Sequence, residues 1–143
     1  MSKQEEGSLI LKLYEMRREP VMRAARDWFF RDFNPACLED FNCAMFSEHS
    51  GHLRMVVTYW DMAAGLVLND AIDMKMFNDC NGEHIGVFAK IEPILEEIRA
   101  EYSPRFARNL EKLIDLTPDG RKLTEAARAR WKMIADRLAV AAR

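Results

Sequence analysis

Glycine and proline are scarce in this chain, six and five among 143 residues, and no segment alternates apolar with polar residues as a half-buried strand does. A β architecture, an internal repeat and a flexible linker therefore find no support. Cysteine is equally sparse. Cys37, Cys43 and Cys80 are an odd number and none forms a C-x-x-C pair with another, which speaks for reduced thiols and a cytoplasmic location. No apolar run reaches the length of a membrane span, and the first seven residues lack the basic and apolar regions of a secretory signal. Phosphate-binding glycine loops, G-x-S-x-G elbows, dinucleotide fingerprints and the H-E-x-x-H and E-x-x-H metal spacings are absent too.

What is present is apolar bulk and charge. The chain is 49% hydrophobic and 31% charged, with nine methionines, the composition of a compact, helix-rich globule and not of a disordered segment. Its length fits a single helical domain, 1–143, and the methionines fit best as adaptable core filler. The net charge of −2 hides an asymmetry: residues 104–143 carry +5 and residues 1–103 carry −7.

The segment 52–68 organises the rest. On a helical wheel Leu53, Val56, Val57, Trp60 and Ala64 cover one face, and Met55, Tyr59, Met62 and Leu66 cover much of the other. A helix that is apolar nearly all round is a buried axis. Its single polar line is Arg54, Thr58, Asp61 and Gly65. Around it the periodicity predicts helices over about 9–18, 20–33, 36–47, 71–77, 83–102 and 104–115, then a last one to the C-terminus. Ser8 is the expected cap of the first, Pro20 opens the second, and Pro93 should bend the long one near Ala89 without ending it. Glu19, Arg23, Asp27 and Arg31 form an i, i+4 ladder of alternating charge, expected to pair along the helix surface. On the final helix Leu123, Ala127, Trp131, Ile134 and Leu138 should face inward. The fold class is therefore all-α: a helical bundle of six to eight helices with a buried central helix at about 52–68.

Few residues are candidates for chemistry. Arg54 and Asp61, two turns apart on an apolar helix, must either pair with neighbouring helices or line a small polar cleft, because an unpaired buried charge is costly; ion pairs within the bundle are the favoured reading. Glu83 and His84 follow Cys80 at a helix start, where a thiol four residues before an imidazole acquires some thiolate character. With no orienting third group, a loop cysteine, a first-turn glutamate and an exposed histidine are the plainer reading. His49 and His52 lack a third ligand at a metal-binding spacing. Glu92, Glu96, Glu97 and Glu101 fit the wet side of the long helix.

One further pattern spans residues of about 56–114. An apolar helix is followed by Ala-Ile-Asp-Met-Lys-Met-Phe at 71–77, Gly-Glu-His-Ile at 82–85, Ile-Glu-Pro-Ile at 91–94 and Phe-Ala-Arg-Asn-Leu-Glu-Lys-Leu at 106–113. This order resembles an uncharacterised bacterial family of all-helical domains of unknown function. The resemblance implies a helical fold and a bacterial source, and it brings no activity. A smaller likeness, Leu116 to Leu123 with the alanine-rich run to Trp131, resembles the start of the dimerisation helix in MarR-type regulators. Since no winged hairpin precedes it, it implies a self-associating final helix and not DNA reading.

The expected function is a non-enzymatic cytosolic interaction or scaffold domain. It self-associates or binds a protein partner, uses no cofactor and no metal, and touches neither membrane nor nucleic acid. The alternative is a ligand-responsive regulator, or a weak nucleic-acid binder using the basic C-terminal helices.

Overall fold

The computed structural model describes residues 2–143. Among them nine α-helices follow one another with no strand: α1 (Lys3–Arg17), α2 (Pro20–Arg31), α3 (Leu38–Met45), α4 (Ser50–Leu68), α5 (Met74–Cys80), α6 (Glu83–Ile91), α7 (Leu95–Glu101), α8 (Arg108–Leu116) and α9 (Gly120–Ala141). Because α6 runs into α7 through a 3-10 turn, Glu92–Ile94, the all-α bundle has eight rods among the described residues. No described helix is long and apolar enough to cross a membrane.

The axis is α4. Leu53, Val56, Val57, Trp60, Ala63 and Ala64 are each at most 1% exposed; burying an aliphatic side chain of this kind stabilises by about 1.5–3 kcal/mol. The helices α2 and α8 flank it most closely, with α3, α5 and α6 closing further sides. The line Arg54, Thr58, Asp61 and Gly65 marks its outer edge, where Arg54 and Thr58 are exposed and Asp61 and Gly65 half-buried. The polar line thus fixes which side of α4 stays at the surface.

Helix ends depart from the periodicity wherever a cap lies outside the apolar stripe. The first helix starts at Lys3 and not near Leu9, because Ser2 accepts the Glu5 N–H at 3.2 Å and its hydroxyl bonds the Glu5 carboxylate, a capping arrangement. Glu19 caps α2 through Met22, so the expected ladder loses its first rung, and no ion pair joins its other members among the described residues. Asp73 caps α5 through the Met76 N–H at 2.9 Å, moving that helix three residues downstream of its expected start. Pro93 tightens the long rod into the 3-10 turn, and the carbonyl its missing N–H leaves free, Ala89 O, accepts Arg128 Nε at 3.0 Å.

The orientation of α9 differs from expectation for the same kind of reason. A Cβ on Gly120 would lie 1.9 Å from the Ile114 carbonyl oxygen, so only glycine permits this close approach to α8. The Arg128 contact to Ala89 fixes the next turns against α6. Docked so, the helix buries Gly120, Thr124 and Ala127. Leu123 and Ile134, expected inside, remain 44% and 46% exposed.

Candidate functional site

Glu83 is the first residue of α6, where the helix dipole favours a carboxylate. Arg26 of α2 reaches it with Nε at 3.0 Å from both oxygens and Nη2 at 2.7 Å from Oε1. The Trp60 indole N–H donates to Oε2 at 2.9 Å. Arg17, ending α1, brings Nη1 to 3.9 Å of Oε2 and stacks its guanidinium 5.3 Å from the Trp60 ring centroid. The carboxylate hydrogen bond raises the Arg26 pKa, and burial pushes the neighbouring Tyr59 phenol up to about 12. The side chains of Glu83, Arg17 and Arg26 are only 14%, 15% and 27% exposed. Both carboxylate oxygens are committed, so this knot ties α1, α2, α4 and α6 together, and Arg17 Nε is left as a buried donor without a partner.

His84, expected at the surface, is fully buried. Its Nε2 lies 3.1 Å from Asn78 Oδ1; Asn78 Nδ2 donates to Thr117 Oγ1 at 3.1 Å, and that hydroxyl donates to the Leu113 carbonyl at 2.7 Å. These roles place the imidazole proton on Nε2 and leave Nδ1 without a partner. Cys80 is exposed and shares no hydrogen bond with His84, so the thiol and imidazole are not a working pair.

Burial pushes the His84 pKa from 6.5 down to about 4. Between those values the unfolded chain holds a proton that the folded chain refuses, so stability falls as pH drops from about 6.5 to about 4. At about 1.4 kcal/mol per pH unit the loss approaches about 3 kcal/mol. Urea midpoints across that range should show it in the native chain, and His84→Gln, which titrates nothing, should lack this part of the fall, so that the native-minus-variant difference shrinks toward pH 4. Parallel curves for the two proteins would contradict this account.

Arg54 and Asp61 do not pair with each other, nor with any counter-ion among the described residues. Asp61 accepts the Leu110 backbone N–H at 2.9 Å. It caps α8 from a distance, because the local N-cap position is held by Ala107, left-handed at φ 52° and with no side chain able to accept a bond. The expected ion pair is thus replaced by a helix cap. Arg54 is exposed and lines a cleft of about 650 Å³ between α3, α4 and the α7–α8 connection. Phe41 and Met45 form one wall, Tyr102 and Phe106 another, and α4 supplies the floor.

Of the four singled-out residues only Glu83 and His84 meet, as chain neighbours that both touch Trp60 but have different hydrogen-bond partners. Arg17, Arg26 and Lys90 carry little signal in the sequence for the roles they have in the fold. Arg17 and Arg26 lay in plain view on helices whose apolar faces they border. Lys90, 1% exposed, sends Nζ to the Phe29 and Phe33 carbonyls at 2.8 and 2.7 Å; its one sequence signal is its place inside the apolar run at 85–91. Glu92, taken for a solvated residue, pairs with Arg121 and Arg128 of α9. His49 and His52 pack their rings 5.7 Å apart beside Trp28, and no group of three His, Cys, Asp or Glu side chains among the described residues is placed to hold a metal.

An all-helical bundle whose inner charges are spent on helix ends and on one another is the class these features define. Residues 4–116 match the family described as Domain of unknown function (DUF4760), and the chain belongs to it. The matched region ends with α8, so α9 lies beyond it. No curated protein and no solved structure matches the chain.

Proposed function

We propose that this chain is a non-enzymatic helical interaction module that associates with a second copy of itself through the outer flank of α9. The observation that carries this reading is the apolar surface α9 leaves uncovered: Leu123, Met133, Ile134 and Val140 are 44–63% exposed. Isolated apolar residues on a surface need no explanation, whereas several on one helix favour a contact. Charge supports the same partner. The flank carries Arg130 and Arg137, and the strongly acidic body, residues 1–103 at −7, complements the +5 of residues 104–143.

Light scattering at high-micromolar concentration tests it. The native chain should run as a dimer whose dissociation constant rises with added salt. Ile134→Glu, at a half-exposed position, should leave the helical circular dichroism unchanged and weaken association by about tenfold or more. A strict monomer in the native chain, or a dimer indifferent to Ile134→Glu, would overturn the reading.

A further inference from the structure

We propose that the cleft beside Arg54 binds an unbranched amphipathic carboxylate, its apolar chain laid against Phe41, Met45 and Phe106 and its carboxylate held by the Arg54 guanidinium. This inference does not rest on self-association through α9. The cleft volume of about 650 Å³ falls within the range of about 300–1,000 Å³ usual for small-molecule sites. Its floor is formed by Leu53 and Val57, each 1% exposed. Met45 and Met55, both half-buried, border it and can repack around a chain of variable length.

The polar groups of the cleft decide the other end of the ligand. The Thr58 hydroxyl already donates to the Arg54 carbonyl at 2.6 Å, and the Tyr102 hydroxyl bonds Asn42 Oδ1 at 2.5 Å. No acidic side chain lines the cleft. Arg54 is its one cation, and its guanidinium has no ion-pair partner among the described residues. An uncompensated cation at the edge of an apolar trough complements a molecule that is apolar along its length and anionic at one end. A single planar fork of N–H donors matches one carboxylate bidentately.

The test is a titration of the full chain, labelled with 13C at its methionine methyls, with decanoate kept below its micelle concentration. The expected result is saturable movement of the Met45 and Met55 signals at one decanoate per chain, while Met22, a buried residue of α2 outside the cleft, stays still. Arg54→Gln should weaken binding by about tenfold or more and Arg54→Lys should restore part of it. A Cβ on Gly51, which also lines the cleft, meets nothing within 4 Å. Gly51→Phe should therefore keep the native melting curve while blocking the mouth and abolishing the shifts.

Four outcomes would overturn the proposal. They are the absence of saturable shifts in the native chain, equal affinity in the Arg54→Gln protein, equal binding of the cationic analogue decyltrimethylammonium, and movement of the Met45 and Met55 signals with protein concentration alone. The last would mean that a second copy covers the cleft, and it is separable from pairing through α9 because Ile134→Glu would not suppress it.

Discussion

Glu83→Ala is expected to destabilise the fold by about 3–5 kcal/mol, the range found when one partner of a buried charge pair is removed. The magnitude follows from what would be left behind. Arg26 now gives Glu83 three hydrogen bonds of 2.7–3.0 Å, and Arg17 stands within 3.9 Å of it. Without the carboxylate, two neighbouring guanidinium groups would be left with no anion between them, and the indole N–H would lose its acceptor. Arg26 would keep only its bond to the Arg17 carbonyl at 3.3 Å. Glu83→Gln separates the contributions, since its amide oxygen can still accept from Trp60 while the charge is gone; it should lose most of the same stability. Urea unfolding followed by Trp fluorescence measures both. A loss below about 1 kcal/mol in Glu83→Ala would place the pair among exposed surface bridges and remove its role in joining α1, α2, α4 and α6.

The extent to which sequence discloses this molecule depends on where the partners of each group lie. The axis at 52–68 is legible because its apolar residues carry their own periodicity, and the helices opened by Pro20 and after Gly82 announce themselves through local chemistry. The start of α8 does not, since its capping group is Asp61, 49 residues earlier in the chain. Asp61 and Arg54 stand out correctly as charges on an apolar helix, yet the inference from charge to counter-ion fails in both cases. One carboxylate serves a backbone N–H, and one guanidinium faces a cleft. Glu83 and His84 drew attention for their nearness to Cys80, which plays no part with them. The groups that explain Glu83 are 57 and 23 residues away, beyond any local pattern. Lys90 is the least visible, because its shortest hydrogen bonds go to main-chain carbonyls, which leave no mark on side-chain identity.

Lys90→Met is expected to destabilise the protein by about 2–4 kcal/mol at neutral pH, and its deficit should widen in alkali. The Lys90 Nζ lies 2.8 Å from the Phe29 carbonyl and 2.7 Å from that of Phe33, with Asn34 Oδ1 at 3.2 Å, so it closes the C-terminal end of α2. Methionine fills the space and leaves those carbonyls buried without donors, each at a cost of about 1–3 kcal/mol. Against this stands relief from burying a charge. Burial lowers the Lys90 pKa from 10.5 to about 8, with Asp32 opposing. Below pH 8 the folded protein carries that burden in full. Between pH 8 and 10.5 the unfolded chain binds the proton that the folded chain has released, so this residue makes stability rise with pH. The rise amounts to about 3 kcal/mol at about 1.4 kcal/mol per pH unit. The neutral amine keeps two N–H donors for the two shortest carbonyl contacts, so deprotonation does not undo the cap. Lys90→Met has no such proton to release. The difference in unfolding free energy between the native chain and Lys90→Met should therefore grow from pH 8 to pH 10.5. A constant or shrinking difference would mean that these oxygens hold the ammonium charged throughout, and that α2 is closed by a permanent buried cation.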